Sequence, residues 1–386
     1  MSGKSVFIYS DSYQTYKFTE EHPFNPQRLR MTRDLICLLD LIKTEQLVTP
    51  APSSVADLLL VHDETYVQAV MEASQMSTDS PESLLAYGLG TEDTPIFPNM
   101  HEATSLIVGG TVAAMNLVLR GEADHACNIA GGLHHAHRAQ ASGFCVYNDA
   151  AVAIAHAKMQ NPSLKVAYID TDAHHGDGVQ WLFYKDPNVL TISFHETGKY
   201  LFPGTGDTTE RGEGPGYGYS LNVPLQAFTE DESWMESMKT VLIPVLERFK
   251  PDIIISQHGC DGHRYDPLTH LCATTHLYRF IPKLIHRLAH EVCDGKWVAI
   301  GGGGYDIWRV VPRAWTMLWA EMSDQSLQAA IPKDWLDRWQ PHAPSDLPDT
   351  FLDHAKDFPP IPRRKEIEEQ NRIATRLALQ GSPFVI

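Results

Sequence analysis

Lys165–Trp181, with the sequence KVAYIDTDAHHGDGVQW, is the stretch that decides the fold of this chain. Val166–Ile169 is a short apolar run, which predicts a buried strand. Because side chains alternate faces along an extended chain, Asp170, Asp172 and His174 would share one face where the strand ends. Burying three such groups is costly unless a cation compensates, and Asp with neutral His is a usual ligand set for catalytic zinc. The stretch therefore predicts a metal site at the end of a strand.

A polar, solvated turn is the alternative interpretation of the same residues. A single Asp-x-Asp is common in turns, whereas Asp-x-Asp-x-His-His-Gly-Asp-Gly directly after an apolar strand is much rarer. Gly176 and Gly178 would let the chain turn sharply into a helix. In open α/β sheets, ligands bind beyond the carboxyl ends of the strands. We therefore favour the metal site.

The composition is that of a globular protein with a large core. The 386 residues are 43% hydrophobic and 20% charged. The net charge of −17 argues against a nucleic-acid partner and favours cationic or neutral ones. We see no unbroken apolar run of membrane-spanning length and no apolar signal-peptide core at the N-terminus. The six cysteines include no Cys-x-x-Cys pair. We expect a cytoplasmic protein without structural disulfides or a membrane partner.

Predicted strands alternate with predicted helices along most of the chain. The strands are Ser5–Tyr9, His125–Ala130, Val166–Ile169, Val189–Phe194, Tyr219–Pro224, Ile253–Ser256 and Trp297–Ile300. Helices are indicated after Asn25-Pro26 and Asp63, over Glu102–Arg120 and Asn148–Met159, after a capping box at Thr229–Glu232, and near Arg364–Leu379. The pattern predicts an α/β fold with a mostly parallel open β-sheet and helices on both faces. We expect a single catalytic domain over residues 1–386, with residues 331–386 as a C-terminal extension packed on it.

The groups that could carry chemistry each follow a predicted strand. They are His134-His135, Asp170–Asp177, Asp261 and Gly304-Tyr305. Taken singly, each has a simpler explanation, such as a surface histidine, a turn aspartate or a packing tyrosine. Because the carboxyl ends of parallel strands share one edge of a sheet, we expect the four groups to converge there, as a metal site with a working base requires.

Several blocks of this sequence resemble signature blocks of the arginase/deacetylase superfamily, in particular of the zinc-dependent histone deacetylases. The blocks are HPFNPQR, GGLHHAHRAQASGFCVYNDAA, YIDTDAHHGDGVQ, FPGTGD, QHGCDGHRYDPL and GGGGYDIW. They occur in the family's order between about residue 5 and residue 320. The resemblance implies the arginase/deacetylase-like fold and a metal-dependent amidohydrolase that removes acetyl groups from acetyl-lysine side chains of proteins.

The resemblance also implies a role for each matched residue. The implied zinc ligands are Asp172, His174 and Asp261. The implied catalytic residues are His135 as general base, His134 as the neighbouring imidazole, Asp170 and Asp177, which orient these two histidines, and Tyr305, whose hydroxyl binds the acetyl oxygen. Zn²⁺ is the expected ion, and Fe²⁺ is the alternative because two carboxylates and one imidazole suit either metal.

Further matches concern the substrate and structural cations. The implied substrate-binding residues are Phe144 and Phe202 as tunnel walls, Gly143 at the tunnel floor and Asp93 at the rim, with Arg28 in an inner acetate-release channel. Two monovalent-cation sites are implied, both expected to hold structural K⁺. One involves Asp170, Asp172, His174, Ser193 and Phe194, and part of the other involves Phe183, Val189 and Tyr219.

The substrate is the most open question at this stage. The nearest bacterial members of the family suggest control of acetoin and acetate metabolism, with an acetylated protein such as acetyl-CoA synthetase as substrate. An acetylpolyamine amidohydrolase shares the catalytic blocks, and the acidic composition suits a cationic polyamine as well. A manganese ureohydrolase would need two metals and more carboxylate ligands. A non-catalytic acyl-lysine binding protein would be favoured by loss of Tyr305 or of a ligand, and none is lost here.

Overall fold

The computed structural model describes residues 4–76 and 82–384 and contains one β-sheet of eight parallel strands. The strands are β1 Ser5–Ile8, β2 Leu47–Val48, β3 His125–Asn128, β4 Val166–Asp170, β5 Val189–Glu196, β6 Ser220–Leu225, β7 Ile253–Gln257 and β8 Trp297–Ile300. Their spatial order is β2-β1-β3-β8-β7-β4-β5-β6. The four central strands are fully buried, as expected for a parallel sheet covered by helices.

Twelve α-helices flank the sheet within the described residues. They are α1 Gln27–Leu38, α2 Val55–Leu58, α3 Glu64–Ala73, α4 Glu82–Leu85, α5 Met100–Leu119, α6 Asp149–Gln160, α7 Asp177–Leu182, α8 Asp231–Phe249, α9 Thr275–Val292, α10 Val311–Met322, α11 Lys333–Trp339 and α12 Arg364–Leu379. The predicted α/β fold class is thereby confirmed.

Some predicted local features were wrong. The third strand ends at Asn128 rather than Ala130, and the two-residue strand β2 was not predicted. The expected capping box at the start of α8 is not formed. The Thr229 hydroxyl instead donates to the Gln226 carbonyl at 2.6 Å and accepts from Asn371 Nδ2 at 2.8 Å. A partner distant in sequence therefore replaced the local one.

Helix α5 is long and apolar enough to cross a membrane by length and composition, with a mean hydropathy of 1.4. Polar residues such as Glu102 and Asn116 interrupt its apolar run. In the structure 67% of this window is buried, and α5 packs against β3 and α6. It forms part of the core between the sheet and its neighbouring helices.

Residues 331–384 pack along the rest of the chain. Helix α11 contacts α1, where the indole Nε1 of Trp335 donates to the Met31 carbonyl at 3.0 Å. Helix α12 lies against β6 and α8. Between them, Asp353 accepts hydrogen bonds from His263 Nε2 and Arg313 Nη1, each at 2.8 Å. These contacts fasten the segment to the sheet and to three of its helices.

Candidate active site

The side chains predicted to carry chemistry lie together at the carboxyl edge of the four central strands. The loop after β3 carries His134 and His135, and the loop after β4 leads from Asp170 into α7. The loops after β7 and β8 supply Asp261 and Tyr305. Because β3, β8, β7 and β4 are consecutive in the sheet, loops distant in sequence become neighbours.

Asp172, His174 and Asp261 form a buried cluster that could hold a metal ion. Their ligand atoms all lie within 4.8 Å of one another. His174 Nδ1 lies 2.9 Å from Asp261 Oδ2 and 3.2 Å from Asp172 Oδ1, and the three residues are between 0% and 8% exposed. Burial and the neighbouring charge of Asp172 raise the pKa of Asp261 to about 6. A divalent cation would relieve this repulsion, so the donor set fits a zinc-type ion.

His134 and His135 are each oriented by one carboxylate. His134 Nδ1 donates to Asp170 Oδ2 at 2.8 Å, and His135 Nδ1 donates to Asp177 Oδ1 at 2.7 Å. Both rings are therefore left with Nε2 free for chemistry.

The two imidazoles differ in charge. Burial alone would lower the pKa of His134, but the charges of Asp170 and Asp172 raise it to about 9. Burial and the positive charge of His134 lower the pKa of His135 to about 4, against the opposing effect of Asp177. At neutral pH one ring is therefore an acid and the other a base.

Three residues that the sequence reasoning missed hold these groups in place. The Asp149 carboxylate accepts from the backbone N–H of Leu133 at 2.7 Å, directly before the histidine pair. The Tyr168 hydroxyl donates to Asp170 Oδ2 at 2.7 Å. Asp266 accepts from the backbone N–H of Tyr305 at 2.8 Å. All three residues lie within the sequence blocks that resemble the family, but no local pattern indicates what they contact.

The Gly-rich loop after β8 places Tyr305 beside the two carboxylates. The backbone N–H of Gly303 donates to Asp172 Oδ2 at 2.6 Å. A Cβ atom at Gly303 would lie 2.1 Å from Asp261 Oδ2, so only glycine allows this approach. Burial and the charges of Asp261 and Asp172 raise the pKa of Tyr305 well above its usual value. Its hydroxyl therefore stays protonated and can donate a hydrogen bond.

The residues predicted to form a substrate tunnel border these groups. The Phe202 ring is 42% exposed and lies 5.0 Å from the His135 ring. The Phe144 ring lies 5.8 Å from the Tyr305 ring. A Cβ atom at Gly143, whose φ is +51°, would lie 2.5 Å from His135 Cδ2 and 2.8 Å from Phe202 Cε1. The two phenylalanines thus border the polar cluster, one on its histidine side and one on its tyrosine side.

The residues predicted for the rim and the inner channel lie near these aromatic rings and the tyrosine loop. Asp93 is exposed, and its carbonyl oxygen lies 3.3 Å from Nε2 of His22, whose ring contacts Phe144. Arg28 is only 3% exposed and donates to the Gly304 carbonyl at 3.0 Å, next to Tyr305. The guanidinium therefore lies behind the tyrosine loop, inside the protein.

The residues predicted for monovalent cations lie between β4, β5 and β6. Asp170 and Ser193 are register partners across β4 and β5, and Phe194 follows Ser193. Val189 begins β5, Phe183 follows α7 and Tyr219 precedes β6. The residues of both sets carry backbone carbonyl oxygens, and Asp170 and Asp172 add carboxylates. Such oxygens are the ligands that hard cations prefer.

Comparison with known proteins agrees with this geometry. The model of the histone deacetylase domain family matches residues 22–322. The chain is 54% identical over 377 residues to "Acetoin utilization protein AcuC" of Bacillus subtilis (strain 168), covering 97% of this chain and 96% of that protein. It is 44% identical over 371 residues to the protein of the same name from Staphylococcus aureus (strain MRSA252), covering 96% and 95%.

A solved structure shows the same similarity in three dimensions. The crystal structure of an HDAC homologue from Aquifex aeolicus aligns with a TM-score of 0.85 and 30% sequence identity, over 96% of this chain and 100% of that one. The chain belongs to the histone deacetylase family and is a deacetylase, hence a hydrolase.

Proposed function

We propose that this deacetylase removes acetyl groups from lysine side chains of proteins, with Asp172, His174 and Asp261 as ligands of one zinc-type ion. The observation that carries the proposal is the His134–His135 pair, two buried imidazoles that each bond to their own carboxylate beside a buried metal-type cluster. Zn²⁺ is the preferred ion because the family is typically zinc-dependent, and Fe²⁺ remains the alternative that this ligand set accepts.

The residues divide the hydrolysis between them. An ion held at the cluster would supply Lewis-acid chemistry, polarising the amide carbonyl and lowering the pKa of a water from 15.7 to about 7. His135, neutral and held by Asp177, accepts the proton of the attacking water at Nε2. The Tyr305 hydroxyl donates a hydrogen bond to the developing oxyanion. His134, held protonated by Asp170, then protonates the leaving lysine amine, and acetate is the other product.

The entrance favours a long, thin apolar chain ending in an amide. Phe144 and Phe202 would flank the four methylene groups of an acetyl-lysine, and Gly143 leaves the space between Phe202 and His135 open. Asp93, exposed beside His22, would accept hydrogen bonds from the substrate backbone. Arg28 would receive the acetate on the inner side of Tyr305, because the guanidinium is buried there.

We also assign K⁺ to the two predicted monovalent-cation sites. A cation between Asp170 and Ser193 would neutralise part of the charge that surrounds His134, and a second near Phe183, Val189 and Tyr219 would brace the loops beside β5. Oxygen-only ligand sets in rigid backbone favour such hard ions.

The names of two relatives support a proposal for the physiological setting. Two proteins that this chain resembles over nearly their whole length are acetoin utilization proteins. We therefore propose a role in acetoin or acetate metabolism, in the cytoplasm, on an acetylated protein such as acetyl-CoA synthetase. The net charge of −17 suits a lysine-rich protein surface and disfavours nucleic acid or an anionic membrane as partner.

An acetylated polyamine is the second candidate substrate, favoured by the same acidic charge. An activity panel of acetyl-lysine peptides against acetylpolyamines, with metal content measured in parallel, separates the two. We expect kcat/KM to be higher for the peptides. Higher kcat/KM for acetylpolyamines would replace the protein substrate with the polyamine, and no turnover of either by the metal-loaded protein would contradict both.

A further inference from the structure

Three histidines meet at the opposite end of the sheet from the deacetylase site. His125 is the first residue of β3, whereas His134 and His135 follow the end of that strand. His286 and His290 lie one turn apart on α9. Their ligand nitrogens all lie within 4.8 Å of one another. His286 Nε2 lies 3.1 Å from His125 Nε2 and 3.2 Å from His290 Nε2.

The fold presents the three rings to one another. Residues four apart on a helix share a face, so His286 and His290 point the same way. His125 is the register partner of Trp297 in β8, and the Trp297 ring stacks on His286 with centroids 5.6 Å apart. His125 and His286 are 0% and 7% exposed, whereas His290 is exposed. The cluster is thus buried on its inner side and open to solvent on its outer side.

Hydrogen bonding among the rings does not account for this arrangement. A neutral imidazole carries one N–H and one lone pair in the ring plane. His286 Nε2 has two other Nε2 atoms within 3.2 Å, and a single lone pair cannot serve two donors well. Three converging lone pairs are instead the donor set of a tri-histidine metal site, which suits zinc and its neighbours in the first transition row.

Glu321 supplies the partner that metal-binding histidines usually have. Its Oε1 lies 3.3 Å from His286 Nδ1, on the far side of the ring from the cluster. A carboxylate in this position fixes the ring with Nε2 unprotonated and raises its basicity as a ligand. Glu321 lies on α10, so this helix also contributes a residue to the histidine cluster.

We propose that His125, His286 and His290 bind one divalent transition-metal ion of the zinc type, separate from the deacetylase site. The three imidazoles fill three positions, and the fourth is open to water beside His290. The ion would fasten α9 to the start of β3 and stabilise the folded chain. This proposal does not depend on the proposed lysine substrate.

The test counts zinc in untagged protein after equilibrium dialysis against Zn²⁺. We expect wild type to bind one ion more than His290→Ala, while both keep the same deacetylase activity. Glu321→Gln should bind the extra ion roughly 10–100-fold more weakly, as loss of an outer carboxylate does. His276→Ala is the matched control, because His276 is an exposed histidine on the same helix outside the cluster. It should keep the full count.

Thermal unfolding gives a second readout, because an ion that binds only the native state raises its stability. Zn²⁺ should raise the Tm of wild type and His276→Ala more than that of His290→Ala. All three proteins keep the deacetylase site, so the difference isolates the cluster. Equal zinc counts and equal Tm shifts in wild type and His290→Ala would overturn the proposal, as would an equal loss of zinc in His276→Ala.

Discussion

His134 and His135 lie with ring centroids only 3.9 Å apart, yet their pKa values shift in opposite directions. Both rings are buried, so desolvation acts on both alike. The difference comes from charge: two carboxylates, Asp170 and Asp172, surround His134, whereas His135 has the positive His134 beside it. Pairs of titratable groups with opposed shifts assign acid and base roles within a site. This relationship underlies the roles proposed for the two histidines.

Substitution of any one residue of the metal cluster should remove the bound ion and the deacetylase activity together. Asp172→Ala, His174→Ala or Asp261→Ala should each lower the bound zinc by one ion and abolish deacetylation, because each removes one of three ligands. Metal counting and circular dichroism on each variant check this, with the exposed Asp357→Ala as control. Full zinc content in all three variants would mean that the ligands lie elsewhere.

Tyr305→Phe should lower kcat by roughly 10²–10³-fold, the usual cost of one oxyanion donor. The hydrogen bond strengthens as the oxyanion develops, so kcat falls while affinity for acetyl-lysine changes little. Zinc content should stay the same. Tyr217→Phe is the control, since Tyr217 is 57% exposed. Near wild-type turnover in Tyr305→Phe would contradict the oxyanion role and reduce this tyrosine to a packing role.

Gly143→Ala should reduce kcat/KM by roughly 100-fold, the scale on which a small misplacement of catalytic groups acts. The added Cβ would lie 2.5 Å from His135 Cδ2, so the general base or the wall residue Phe202 must move. Gly214→Ala separates this clash from backbone strain, because Gly214 has a similar φ of +56° and no atom within 4 Å of the added Cβ. The prediction fails if both variants lose the same activity.

Asp353→Asn should lower the free energy of unfolding by about 3–5 kcal/mol at pH 7, because it leaves the buried Arg313 guanidinium without its carboxylate. Arg313 is 2% exposed, and Asp353 Oδ1 lies 2.8 Å from its Nη1. Urea unfolding measures the change. Asp349→Asn, at an exposed position of the same segment, should change it little.

The same carboxylate predicts a pH dependence. Burial alone would raise the pKa of Asp353. The hydrogen bond from His263 and the charge of Arg313 together have the larger effect and lower this pKa below its usual value of 3.8. A carboxyl whose pKa is lower in the folded than in the unfolded state stabilises the fold at pH values above its unfolded-state pKa. This stability is lost as the pH falls through its folded-state pKa. Between pH 7 and pH 3 the wild type should therefore lose more stability than Asp353→Asn. Parallel curves for the two proteins would contradict this.

Local sequence was informative where a motif or a periodic pattern of side chains is complete within a short stretch of the chain. Alternation along Val166–Asp172 and the turn glycines after it indicated a strand end with metal-type ligands, and the structure places Asp172 and His174 there with Asp261. The same local reasoning predicted a parallel sheet with helices around it, because buried strands and amphipathic helices leave periodic patterns. Local patterns failed at α8, where the Thr229 hydroxyl bonds to Gln226 and to the distant Asn371 instead of forming the predicted capping box.

Only the tertiary structure decided the pairings between distant residues. It matched His134 to Asp170 and His135 to Asp177, and it brought His125 to His286 across 161 positions of sequence. The pKa difference between these two imidazoles was likewise decided by the tertiary structure, because desolvation and Coulomb interactions depend on distance in space. A sequence lists which ionisable groups are present, and the order of the strands in the sheet determines which of them lie close enough to change one another's charge.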